Sequence, residues 1–186
     1  MTERADANTV KTIMDEFLKD EGVRARLRMI LKRERNDWEK WLQVELEYFM
    51  TQLPGVSVER EILALPDNRK LRDKYNMFID IAFRKKRTRI NSYIFIELKC
   101  SKKPQTLING FKKDVKKLLA IKKCLLGTRS FWCVGFHLNC EPKNIDTMNK
   151  FVKEWYYGYS KVIKLCDCGD EIECQCTDNK IGFAVI

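Results

Sequence analysis

Between residues 57 and 100 the chain holds three short segments, "SVEREILAL", "NMFIDIAFR" and "SYIFIELKC", in which apolar residues alternate with polar ones or run together. Their length and their β-branched and aromatic content predict three strands. The polar run "KKRTRIN" between the last two is long enough for a hairpin loop. Before them, residues 9–50 are helical in pattern and rich in charge. Asp37 can cap a helix through "WEKWLQVELEYFMTQL", which ends before Pro54-Gly55. After Pro104, the spacing of Phe111, Val115, Leu118, Leu119 and Leu126 predicts a helix over 106–126, with Gly127 as its stop. A strand "SFWCVGFHL", a helix over about 144–157 and short strands joined by turns complete the chain. This order predicts one α/β (α+β) layer domain over 1–186, a central mixed β-sheet flanked by helices. Its helical N-terminal part covers about 9–53 and its Cys-rich β tail about 161–186.

Length and composition set outer limits. With 186 residues, 45% hydrophobic and 33% charged, the chain can bury a real core and does not read as disordered. No apolar run approaches the roughly 20 residues that span a bilayer, and "MTERADANTV" lacks the apolar core of a signal peptide. A soluble, cytoplasmic protein with no membrane partner is expected. The formal charge of +10, from 36 basic and 26 acidic residues, favours a polyanionic partner, nucleic acid first. Solubility alone also accounts for a lysine-rich surface. Cys100, Cys124, Cys133 and Cys140 lie scattered in apolar or helical stretches and read as reduced, packed thiols.

One strand does not fit a plain core. In "YIFIELKC", Glu97 and Lys99 sit two residues apart and so on one face. Buried charges need a partner or a metal. If the two middle strands pair with Arg84 opposite Tyr93, then Ala82 falls opposite Phe95 and Asp80 opposite Glu97. Facing Cβ atoms lie about 4.5–5.5 Å apart, so the two carboxylates repel. A divalent cation with hard oxygen ligands, Mg²⁺ above all, removes that penalty. A plainer arrangement puts Glu97 and Lys99 on a solvent face, with Asp80 paired to Lys99 across the strands. Stepping about 100° per residue from Trp38 groups Trp41, Leu42, Tyr48 and Phe49 on one arc. Glu45 falls near its centre, and Glu47 falls opposite. Glu45 is thus the expected third acid, whereas Glu34, Glu39 and Glu47 read as surface acids.

An acid in a helix, Asp80 on a strand and "Glu97-Leu98-Lys99" on the next strand together resemble the PD-(D/E)XK nuclease superfamily, with its restriction-endonuclease-like fold. The resemblance covers roughly residues 38–137 and includes a helix after the motif. The family's proline before the aspartate is absent, Ile79 standing there instead. The resemblance implies a Mg²⁺- or Mn²⁺-dependent nuclease, acting on DNA more than RNA. Asp80, Glu97, the Leu98 carbonyl and Glu45 would be the metal ligands. Lys99 would orient or help deprotonate the attacking water. A homodimer suits enzymes of this kind that cut both strands. The alternative is a non-catalytic nucleic-acid-binding or interaction module on the same fold.

Other features bear on partners. Lys112, Lys113, Lys116, Lys117, Lys122 and Lys123 form a basic helix face, which either tracks a phosphate backbone or is merely solvated. The run Arg84, Lys85, Lys86, Arg87 likewise either contacts nucleic acid or keeps a hairpin tip soluble. Asp114, near the Phe111 and Leu118 stripe, is expected to face inward towards Lys99. In "CDCGDEIECQC", Cys166, Cys168, Cys174 and Cys176 offer four thiolates for Zn²⁺. One residue between paired cysteines is shorter than structural zinc sites use, so packed or redox-active thiols compete with zinc there. His137 stands alone in an apolar strand and reads as a core residue, which leaves nucleophilic Ser-His or Cys-His chemistry without support.

Overall fold

The computed structural model describes residues 2–33, 38–70, 75–89, 92–166 and 179–186. The helical N-terminal stretch divides into three helices because its apolar residues fall into three separate stripes. In α1 (Thr2–Phe17) these are Ala7, Val10, Met14 and Phe17, and in α2 (Glu21–Arg33) Val23, Leu27 and Ile30. In α3 (Glu39–Gln52) they are Leu42, Leu46 and Met50. Asp20 caps α2 by accepting the Val23 N–H at 2.8 Å. Trp38 stands at the N-cap of α3 with no side-chain cap, and Asp37 lies outside the described residues.

The strands are β1 (Val56–Pro66), β2 (Met77–Lys85), β3 (Tyr93–Ser101), β4 (Ile121–Cys124), β5 (Thr128–His137), β6 (Tyr159–Lys164) and β7 (Lys180–Val185). They form one mixed sheet in the order β4-β1-β2-β3-β5-β7-β6. Among the described residues, only β3 and β5 pair in parallel. Parallel neighbours need a crossover, and α4 (Pro104–Leu119) supplies it. One face of the sheet, with Ile94, Ile96, Leu98, Val134 and Phe136, packs on α1, α2 and α3. The other face meets α4 and α5 (Pro142–Val152) through Leu107, Phe111, Cys133, Met148 and Phe151. Gly135 lets α4 come close, since a Cβ there would lie 2.5 Å from Leu107 Cδ1.

Two expected boundaries move. The helix predicted over 106–126 ends at Leu119, and Ile121–Cys124 becomes an edge strand instead. There it pairs with the open side of β1, Ala64 facing Cys124 and Leu65 facing Lys123. Extending the sheet satisfies β1 backbone groups that a longer helix would leave bare, and exposed Lys122 and Lys123 suit an edge. Helix α5 stops at Val152, short of 157. There the chain reverses in turns closed by Trp155 N–H to Val152 O and Gly158 N–H to Trp155 O. The Cys-rich tail is represented by β6 and β7, while Cys168, Cys174 and Cys176 lie outside the described residues. Among the described residues, no helix is long and apolar enough to cross a membrane.

Candidate active site

Strands β2 and β3 adopt the register that the charge pattern requires, with Ile81, Ala82 and Phe83 facing Ile96, Phe95 and Ile94. The ladder stops there. One more step would bring Asp80 opposite Glu97. In place of a backbone carbonyl, Asp80 Oδ2 accepts the Leu98 N–H at 2.7 Å. On its other side β2 pairs with β1 in constant register, except that the step Glu61–Asp80 is skipped. Glu61 has a left-handed φ of 54°, which a non-glycine residue rarely adopts. The inside–outside alternation also breaks at this point. Met77 and Ile79 pack with Ala82, whereas Ile81 and Phe83 pack on the α1–α3 side. Strict alternation along a strand would put Ile79, Ile81 and Phe83 on one face, and here they are split at Asp80.

Into this break β3 sends Glu97 and Lys99, and α4 sends Gly110, Asp114 and Lys117, spaced to share one helix face. Glu97 is only 2% exposed. Its Oε2 accepts a hydrogen bond from Lys117 Nζ at 2.6 Å, while its buried Oε1 has no hydrogen-bond partner among the described residues. Burial, with the nearby Asp80 charge second, pushes its carboxyl up to about 8. Asp114, raised to about 6 chiefly by burial, has its Oδ2 3.8 Å from Lys99 Nζ. Asp80 is raised as well, again chiefly by burial. The stem of Lys99 lies against Gly110, where a Cβ would come within 3.0 Å of Lys99 Cγ. Burial works to push the Lys99 ammonium down, but the Asp114 and Glu39 charges outweigh it and leave it raised. Lys99 is a cation at neutral pH.

The helix acid that meets this group is Glu39, an acid expected on the surface. Its Oε1 lies 3.2 Å from Lys99 Nζ, and its Oε2 accepts the Cys100 N–H at 3.0 Å. Glu45 is elsewhere: it binds Arg26 Nη2 at 2.8 Å and Trp41 Nε1 at 3.2 Å, tying α3 to α2. Expecting Glu45 as the third acid is therefore corrected to Glu39. The aromatic residues do not mark the buried arc of α3, since Tyr48 is 65% exposed. The actual stripe of Leu42, Gln43, Leu46 and Met50 extends back onto Glu39. Glu47 pairs with Arg60, on the side of β1.

The predicted basic elements are distributed unevenly. Lys85, Lys86 and Arg87 are exposed at the β2–β3 turn, which begins about 17 Å along the strand from Asp80, at roughly 3.4 Å per residue. Arg84 is engaged within the hairpin: its Nη1 donates to Thr88 O at 2.9 Å, and its guanidinium lies over the Tyr93 ring. On α4, Lys112, Lys113 and Lys116 are exposed and Lys117 turns inward. His137 is buried with Nδ1 2.9 Å from Asn139 O, and burial lowers its pKa. Cys133, the neighbour of Glu97 on β5, is a buried thiol that burial pushes well above its usual range.

Four carboxylates, Glu39, Asp80, Glu97 and Asp114, thus face two ammonium groups, Lys99 and Lys117. The excess of negative charge, the hard oxygen donors and the unpartnered Glu97 Oε1 fit a divalent cation such as Mg²⁺. Among the described residues, however, no three His, Cys, Asp or Glu side chains are gathered into a ready cage. Zinc at the tail cysteines has only Cys166 within the description. No family model, curated protein or solved structure matches the chain.

Proposed function

We propose that the chain is a metal-dependent nuclease of the PD-(D/E)XK type, with a restriction-endonuclease-like arrangement of its sheet and helices. The observation that carries this is the break in the β2–β3 ladder, where Asp80 and Glu97 converge and Lys99 follows on the same strand face. A sheet that gives up a pairing step to gather repelling acids gains nothing in stability from it. Mg²⁺ or Mn²⁺ would supply Lewis acidity and charge to a scissile phosphate. Asp80, Glu97 and the Leu98 carbonyl would hold it. Lys99, kept charged by Asp114 and Glu39, orients water and offsets charge as the phosphate becomes pentacoordinate. Glu39 positions Lys99 and fixes the end of β3 through the Cys100 N–H. The net charge of +10 supports a polyanionic substrate, DNA before RNA, with Lys112, Lys113, Lys116 and the Lys85–Arg87 turn meeting backbone phosphates.

A second reading, a non-catalytic nucleic-acid-binding module, is favoured by one observation, the Lys117 ammonium already paired to Glu97. The test that separates the two places plasmid, linear duplex, single-stranded DNA and RNA side by side with Mg²⁺ or Mn²⁺. Cleavage of DNA that chelation stops, and that Asp80→Asn lowers by roughly 10²–10³-fold, is expected. Binding without cleavage by either protein selects the module.

A further inference from the structure

Lys117 separates itself from the basic run of α4. Lys112, Lys113 and Lys116 are exposed, whereas the Lys117 side chain is 23% exposed and its ammonium meets Glu97 Oε2 at 2.6 Å. Among the described residues Glu97 is satisfied on that oxygen only, and its buried Oε1 has no hydrogen-bond partner. An ionised carboxylate accepts at both oxygens, and leaving one bare inside the protein is costly. The two lysines of the site are held differently. Lys99 is fixed between Glu39 and Asp114, with its stem against Gly110. Lys117 forms an ion pair with Glu97 alone among the described residues. Its four-carbon stem reaches the protein surface, so its ammonium can leave Glu97 for water without unpacking the helix. A divalent cation between Asp80 and Glu97 would repel an ammonium 2.6 Å from one of its ligands and, with all four acids ionised, would supply the two charges by which the carboxylates exceed the ammoniums.

We propose that Lys117 is a stand-in cation: it holds Glu97 while no metal is bound, and a divalent ion displaces it, freeing its ammonium to face the substrate phosphate. The last step rests on the nuclease reading, whereas the displacement does not. It also accounts for the lack of a gathered metal cage among the described residues, because part of the charge that would gather the acids is already supplied by a side chain.

The test is Mn²⁺ binding without nucleic acid, followed by the electron spin resonance of free Mn²⁺ at pH 9, where protons compete least for the carboxylates. Lys117→Met keeps the stem and removes the competitor, and it should bind Mn²⁺ about tenfold more tightly than the parent. Lys117→Arg should bind no more tightly than the parent, and Asp80→Asn should bind far more weakly. Equal or weaker binding by Lys117→Met overturns the proposal, as does the absence of Mn²⁺ binding by every variant. Should Lys117→Met fail to fold by circular dichroism, a crystal structure of the parent with Mn²⁺ decides. Lys117 Nζ more than 4 Å from Glu97 supports displacement, and a retained ion pair refutes it. If these results hold in a protein that cleaves no nucleic acid, the stand-in role stands and the nuclease reading falls. If Mg²⁺-dependent cleavage is found and Lys117→Met binds no more tightly, the reverse is true.

Discussion

At the hairpin end of β2 and β3, Ile81, Ala82 and Phe83 face Ile96, Phe95 and Ile94, all of them buried and in unbroken pairing. One residue further along the same two strands, the pairing ends and Asp80, Glu97 and Lys99 follow. The first stretch follows the rules of a sheet interior, with apolar side chains on both faces. The second breaks them, with Asp80 accepting the Leu98 N–H, Glu61 forced to a positive φ, and a buried carboxylate oxygen left without a partner. Such violations gather where structure serves chemistry. The intact end holds the strands in register, so that the broken end can hold acids that would otherwise drive them apart.

Three changes would sharpen or break that contrast. The largest effect belongs to the intact end. Phe95 is fully buried, and Phe95→Ala should destabilise the fold by about 3–5 kcal/mol in denaturant unfolding. Asp80→Asn, which keeps an oxygen for the Leu98 N–H, should cost far less. Comparable losses would mean that the two ends are not divided in this way. An intermediate effect is expected on α3. Glu39→Gln should slow cleavage about tenfold, because Lys99 loses a charged partner and becomes less well oriented. Glu45→Gln should stay within about twofold, its partners being Arg26 and Trp41. The reverse order would restore Glu45 to the site.

The smallest effect is a pH dependence of the metal-free protein. In the unfolded chain Glu97 ionises near 4.5, but in the fold near 8. Between those values the native state keeps a proton that the unfolded state has released, so stability falls as pH rises through this window and levels off above it. Asp114, raised to about 6, adds the same sign at lower pH. The midpoint of thermal unfolding should drop by about 3 °C or more between pH 5.5 and 8.5, and Glu97→Gln should flatten that drop. Added Mg²⁺ should recover stability at the alkaline end. A midpoint that rises with pH in the parent would contradict the crowding of the acids.

Much of the strand pairing was legible because period-2 patterns and a polar hairpin leave little choice of register. The pair Ala82–Phe95 follows from that, and so does the approach of Asp80 to Glu97. The helical contributions were harder to read. On α3, tryptophan and tyrosine look apolar in a pattern yet tolerate exposure, so they drew the stripe away from Leu42, Leu46 and Met50 and hid Glu39. Weighting the aliphatic residues would have placed it. Lys117 was concealed among six lysines of similar spacing, and only its contact with Glu97 distinguishes it. The early end of α4 depends on the open side of β1, a tertiary demand with no local signal.

On the proposed nuclease reading, Glu97 and Lys99 share a strand face because one would hold a cation and the other would act on the water and phosphate beside it. The most direct test is the single-turnover rate of DNA cleavage by Lys99→Met in saturating Mg²⁺, with Mn²⁺ affinity measured on the same preparation. Methionine keeps the stem that packs on Gly110 and removes only the ammonium, so the protein should fold and bind Mn²⁺ at least as well as the parent. The rate should fall roughly 10²-fold or more, the scale expected when an aligned charge is lost from the transition state. Cleavage at the parent rate would make Lys99 no more than a counter-ion for Asp114 and Glu39, and the account of the site would fail.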